Sequence, residues 1–239
     1  MKDSMPTFPS SLFPFSANRI SAHAMPTTCV LCGIDGPIAL KTATERIEGA
    51  ILLVRPQVHH QVKAVGCARL LNFDGLAFPF SDTLARSLEG HLQGITIDAL
   101  WGSEKRRLEL REQLAHKQPL CPPDISAIVS HLAQDPMSRM TQIELAEKLG
   151  MERTQSLRYF KQFTGMTFRS YKRWLGIQNA AYQLISGDLV RNAALDNGFS
   201  DTAHLSRSFR TVLGITPTDG IAGYRCAVNE KPHPGLFVN

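Results

Sequence analysis

The chain has 239 residues, 43% of them hydrophobic and 20% charged, the proportions of an ordinary folded protein with room for two modest domains, each with its own core. No apolar run nears the roughly 18 residues that span a bilayer, and none reads as a signal-peptide core, so a cytoplasmic protein is expected. A formal net charge of +5 and a pI near 9.1 suit a polyanionic partner.

Residues 1–20 are rich in Pro, Ser and Phe without periodicity and are expected to be disordered. Short apolar or alternating runs then predict strands at 28–34, 37–42, 50–54, 59–65 and 68–73. Asp35-Gly36, Gly49, Pro56 and Gly66 separate them, a spacing that fits a small β-sandwich or barrel. The chain holds five cysteines, and an odd count without a signal peptide argues for reduced thiols. Cys29 and Cys32 have the spacing of half a metal or redox motif, but no second pair follows. On a strand, positions three apart face opposite sides, so both read as buried structural thiols. His59 and His60 are adjacent and no Glu lies at a useful spacing, so neither a metal site nor a cofactor is expected.

After Pro79 the pattern turns helical. Ser81 is a candidate cap for a helix through Leu84, Leu88 and Leu92, and 103–116 reads as a second, highly charged helix. The prolines from 119 to 123 break the chain and mark a domain boundary. The remainder to about Tyr224 is helical, and the tail 227–239 is expected to be disordered. The fold class is therefore α+β: a small β-barrel or sandwich with two helices, then an all-α domain.

An internal repeat carries most of the information. Arg158-Tyr-Phe-Lys-Gln-Phe-Thr-Gly165-Met-Thr returns as Arg207-Ser-Phe-Arg-Thr-Val-Leu-Gly214-Ile-Thr, and Leu145-Ala146 to Gly150-Met151 parallels Ala193-Ala194 to Gly198-Phe199. Each copy reads as two helices around a tight turn. In the first, Thr141 and Glu144 make a capping box, and Ile143, Leu145, Ala146 and Leu149 form the apolar stripe. Gly150 makes the turn, Thr154 is the expected second cap, Leu157 and Phe160 face inward, and Gly165 terminates. In the second, Asn197-Gly198 turns, Ser200 is the expected cap, and Leu205, Phe209 and Leu213 face inward before Gly214.

The other side chains are left for solvent or a partner. They are Arg153, Gln155, Arg158, Lys161 and Gln162 in the first copy, and Thr202, His204, Ser206, Arg207 and Arg210 in the second. These residue types can hydrogen-bond base edges or phosphates in a major groove. From Arg153 to Arg173 the chain carries Arg153, Arg158, Lys161, Arg169, Lys172 and Arg173 with no acid, which adds Arg169, Lys172 and Arg173 to the phosphate candidates. Residues 168–185 read as one connecting helix of about 27 Å, a length that suits two recognition helices entering successive groove segments about 34 Å apart.

With these motifs in order, residues 122–226 resemble the DNA-binding domain of AraC/XylS transcription regulators. The resemblance rests on Leu145-Ala-Glu-Lys-Leu-Gly, Leu157-Arg-Tyr-Phe-Lys-Gln-Phe-Thr-Gly-Met-Thr-Phe, Gly198-Phe-Ser-Asp, Leu205-Ser-Arg-Ser-Phe-Arg and Leu213-Gly-Ile-Thr-Pro. It implies transcription regulation, usually activation, with double-stranded DNA and RNA polymerase as partners. By position it implies base reading by Thr154, Gln155 and Arg158, and by Thr202, Ala203, His204 and Arg207. Lys161 and Arg210 match positions near the DNA backbone, with Ser206 beside them. Residues 21–118 resemble the cupin-like sensor of the same family through Gly49-Ala-Ile-Leu-Leu-Val-Arg-Pro56 and His59, which implies a small-molecule effector, a homodimer, or both.

Three positions depart from the family pattern. Ser156 stands where a buried Leu is expected, with Leu157 one place late, which predicts a rotated or weakened helix. Gly176 stands where a basic residue is common, and Tyr224-Arg225 is displaced beyond Pro217. An enzyme is disfavoured because no acid–base or ligand constellation appears, and Cys67 in its apolar run shows no sign of activation as a methyl acceptor. A regulator acting through partner proteins alone is the remaining alternative.

Overall fold

The computed structural model describes residues 10–16, 20–80, 83–101, 103–115, 121–135 and 140–227. The strands are β1 (Ser10–Ser16), β2 (Thr28–Gly33), β3 (Ile38–Lys41), β4 (Arg46–Gly49), β5 (Ile51–Val54), β6 (Gln61–Ala64), β7 (Cys67–Phe73) and β8 (Ala85–Ser87). They form two antiparallel sheets, ordered β1-β7-β2-β5-β8 and β4-β3-β6. Register is fixed at the centre by Val30 opposite both Leu53 and Leu71, and Leu31 opposite both Leu52 and Leu70.

The central strands are buried on both faces, and their period of two divides the apolar residues between two cores. Cys29, Leu31, Leu52, Val54, Ala68 and Leu70 belong to one, and Val30, Cys32, Ile51, Leu53, Leu71 and Phe73 to the other. Cys29 and Cys32 thus lie on opposite faces, and burial pushes both thiols up to about 12. Cys29, Cys32, Cys67 and Cys121 are free thiols.

The second core is covered by α1 (Gly90–Leu100) and α2 (Glu104–Ala115) through Ile95, Ala99, Leu100, Leu110 and Leu114. The expected helix from Ser81 is corrected here. Ala85–Ser87 extends the sheet edge against Leu52–Val54, and the helix starts only at Gly90, while Ser81 lies outside the described residues. His116, the 119–120 part of the proline break and the tail 228–239 also lie outside them.

Two further strands escaped the sequence pattern. Residues 10–16, expected to be disordered, pair along β7 from Ser10↔Phe73 to Ser16↔Cys67. Their sequence has no alternation and contains Pro14, but an edge strand tolerates proline, and β7 would otherwise present a bare row of backbone groups. β4 has no apolar run to announce it, because its side chains are exposed or half-buried; it follows from β3 by antiparallel return.

The helical part consists of α3 (Pro123–Gln134), α4 (Gln142–Leu149), α5 (Arg153–Thr164), α6 (Phe168–Ile185), α7 (Val190–Asp196), α8 (Thr202–Leu213) and α9 (Pro217–Ala227). The expectation of a separate core for each part is corrected. The inward face of the larger sheet is continuous with the helical core, from Leu31 and Leu70 to Phe160, Trp174 and Phe209. α9 packs along β1 and β7, which ties the C-terminal helix to the sheet.

Candidate nucleic-acid interface

The two helix pairs, α4–α5 and α7–α8, form as the repeat requires. α4 opens with the reciprocal capping box of Thr141 and Glu144 and ends at Gly150 in the left-handed region, φ 61°. Only a residue without a Cβ takes that conformation cheaply, which explains its return as Gly198, φ 79°, in the second pair. Both caps of the second helices differ from expectation. Glu152, not Thr154, caps α5 by accepting from the Thr154 N–H, and Asp201, not Ser200, caps α8 by accepting from the His204 N–H at 2.6 Å. In each case a carboxylate one or two residues away meets the helix-end amides as a full charge, which a hydroxyl cannot match. Those bonds hold the Asp201 carboxyl below its usual range.

Burial sorts the faces. In α8, Leu205, Ser208, Phe209 and Val212 are inside; in α5, Ser156, Phe160 and Thr164 are. Ser156 occupies the position of Leu205 and is fully buried, its hydroxyl donating to the Arg153 carbonyl at 2.8 Å. The expected rotation of α5 is therefore corrected: the helix keeps its face, the hydroxyl is satisfied within the helix, and Leu157 stays half-buried at the margin. Ile143 is a second correction, 62% exposed because α4 needs only Leu145 and Ala146 against the core.

Gly176 also has a structural reason. It sits inside α6 where the helix meets the α7–α8 turn, and a Cβ there would lie 2.8 Å from the Asn197 carbonyl oxygen. A basic side chain at this position would point into the turn, not toward a partner.

Thr154, Gln155 and Arg158 are exposed at the start of α5, and Thr202, Ala203 and Arg207 at the start of α8. Helical spacing places Thr154, Arg158 and Lys161 on one stripe and Ala203, Arg207 and Arg210 on the corresponding stripe. His204 is more confined. Its Nδ1 lies 3.3 Å from both the backbone N and the hydroxyl of Ser200, and its ring stands edge-on to Phe199. Ser206 donates to the Thr202 carbonyl within its helix.

Among the phosphate candidates, Lys161, Arg173 and Arg210 come from three helices to line one cleft of about 640 Å³. Arg169 is exposed on α6. Lys172 is half-buried instead; its ammonium donates to the Met140 carbonyl at 2.9 Å and lies over the Phe168 ring, with burial lowering its pKa.

Sequence reasoning missed how the β region grips both units. The Gly165 carbonyl, at the end of α5, accepts from the Gln57 side chain at 2.8 Å, and the Gly214 carbonyl, at the end of α8, accepts from the Ser21 N–H at 2.8 Å. Gln57 adopts φ 62°, a strained value for a residue with a side chain, and its own N–H donates to the Met25 carbonyl. α6 is anchored separately. Asp74, fully buried after β7, accepts from the Trp174 indole N–H at 2.9 Å and lies 3.5 Å from the Tyr171 hydroxyl. No sequence rule links these residues, because their partners lie far along the chain.

Comparison with known proteins agrees with this geometry. A family model described as a helix-turn-helix domain matches residues 145–220. A curated relative, the HTH-type transcriptional regulator ArgR of Pseudomonas aeruginosa, is 25% identical over 119 residues, 49% of this chain, and the chain spans only 35% of that protein's length. ToxT from Vibrio cholerae O395 superposes with a TM-score of 0.60 at 11% identity, over 91% of this chain and 98% of that one. The same protein bound to (E)-4-(8-methylnaphthalen-1-yl)but-3-enoic acid gives 0.61 at 11% identity, over 91% and 99%. The chain thus has the α+β fold of the ToxT structures, and residues 145–220 match a helix-turn-helix domain.

Proposed function

We propose that the protein is a sequence-specific DNA-binding transcription regulator in which residues 122–226 read DNA and residues 21–118 sense an effector. The observation that carries this reading is the pair of exposed stripes on α5 and α8, each running from short polar residues and an Arg at the helix start to a base at its end. Arg158 and Arg207, with Thr154, Gln155, Thr202, Ala203 and His204, reach base edges. Lys161, Arg169, Arg173 and Arg210 hold phosphates, and Lys172 and Ser206 support the helices that carry them. α6, about 27 Å long, sets the spacing.

The effector reading is supported by a mostly apolar cavity between the sheet and α6, α8 and α9. A ToxT structure of this fold is described as bound to an unsaturated fatty acid. RNA polymerase is the partner an activator of this kind engages, in the cytoplasm, and pairing of two copies would double the reading length.

Selection of binding sites from a random DNA pool by the full chain tests the proposal. Two boxes about one helical turn apart are expected. A single box would remove one unit from the reading, and no enrichment with or without candidate effectors would overturn it.

A further inference from the structure

Two histidines far apart in sequence meet at one wall of the interdomain cavity. His23 and His60 face each other in an antiparallel bridge, each backbone N–H donating to the other's carbonyl, with ring centroids 4.8 Å apart. Both are buried, at 5% and 1% exposure. His23 Nδ1 lies 2.9 Å from the Ser21 carbonyl and His60 Nδ1 lies 2.8 Å from the Val58 carbonyl. A carbonyl only accepts, so each Nδ1 carries a proton. Burial keeps the rings neutral, lowering His23 to about 4 and His60 in the same direction. Each Nε2 is therefore an unprotonated acceptor, and that of His60 is buried without a partner among the described residues. A buried acceptor left unmade carries a free-energy cost that a matching donor relieves.

The rest of the wall is apolar, including Met25, Leu31, Val62, Leu184 and Phe209, with no Lys or Arg among the described residues that line it. We propose that this cavity binds a compact apolar molecule bearing one neutral O–H or N–H donor, of the phenol or indole class, and that His23 and His60 select it by accepting that hydrogen bond. The proposal rests on the effector reading above and adds its chemistry. A carboxylate is disfavoured because it meets two lone pairs and no cation among the lining residues. The cavity measures about 60 Å³, below the roughly 150 Å³ that admits benzene, so a ring enters with displacement of the wall. Phe209 and Leu213 of that wall belong to α8, so occupancy acts directly on the second recognition helix.

Calorimetric titration of the full chain at neutral pH with phenol, toluene and benzoate tests this, repeated on His60→Leu and His23→Leu. Phenol is expected to bind at least tenfold more tightly than either toluene or benzoate. The leucine variants are expected to keep toluene binding, which shows that the cavity is intact, and to lose the preference for phenol. Benzoate binding as tightly as phenol, phenol no better than toluene, a preference that survives both variants, or no binding of any probe would each overturn the proposal. DNA-site selection is scored separately, so failure of the ligand chemistry and failure of the DNA-reading proposal are distinguishable.

Discussion

Replacing Asp74 with Asn probes the joint between the sheet and α6. Asp74 is fully buried, and desolvation pushes its carboxyl from the ordinary 3.8 up to about 6, although the Trp174 N–H and the nearby Arg111 guanidinium both favour the ionised form. An acid with a higher pKa in the folded state holds its proton more tightly there than in the unfolded chain. Stability therefore falls as pH rises from about 4 to about 6, and the cost is complete above that window. The shift corresponds to about 3 kcal/mol at pH 8 and roughly half of that at pH 5. Asn keeps an acceptor for the Trp174 N–H and carries no charge, so Asp74→Asn is expected to be the more stable protein at pH 8, with the advantage shrinking as pH falls. Urea unfolding followed by tryptophan fluorescence at pH 5 and pH 8 measures both differences. If Asp74→Asn were less stable at pH 8, the carboxylate would be held by its partners more strongly than burial penalises it, and the reasoning would be wrong.

Other substitutions test the DNA-reading and packing arguments. Arg207→Ala is expected to weaken binding to a selected site by about 1–3 kcal/mol and to relax one base position in repeated selection. Arg210→Ala should weaken all sequences alike and lower the salt slope by about one unit in titrations at several salt concentrations. Gly165 and Gly214 share φ 73°, but a Cβ at Gly165 meets open space while one at Gly214 lies 2.5 Å from the Ser21 carbonyl oxygen. Thermal melts should therefore show Gly165→Ala costing about 1 kcal/mol and Gly214→Ala distinctly more; equal costs would refute the tight contact. Gly176→Ala pushes against the Asn197 carbonyl and is expected to destabilise by about 1–3 kcal/mol, read by the same melts, with loss of sequence preference in the box read by α8.

The repeat, the glycines that end its helices and the α+β order were legible in the sequence because they are local. A capping box, a left-handed turn residue and a 3.6-residue apolar stripe depend on neighbours a few positions away, and Thr141, Gly150, Phe160, Leu205 and Gly214 behave as that logic dictates. The five central strand runs were legible for the same reason. Residue preference pointed to Thr154 and Ser200 as caps, and only the geometry of the free amides showed that the Glu152 and Asp201 carboxylates meet them instead. Tertiary structure alone decided the rest. An edge strand at residues 10–16 exists because β7 offers it a partner, Gly176 is required because a turn passes over it, and Gln57, Ser21 and Asp74 join the sheet to helices about a hundred or more residues away. The His23–His60 wall belongs to the same class, since each histidine is unremarkable in its own segment and acquires a chemistry only where the chain brings the two together.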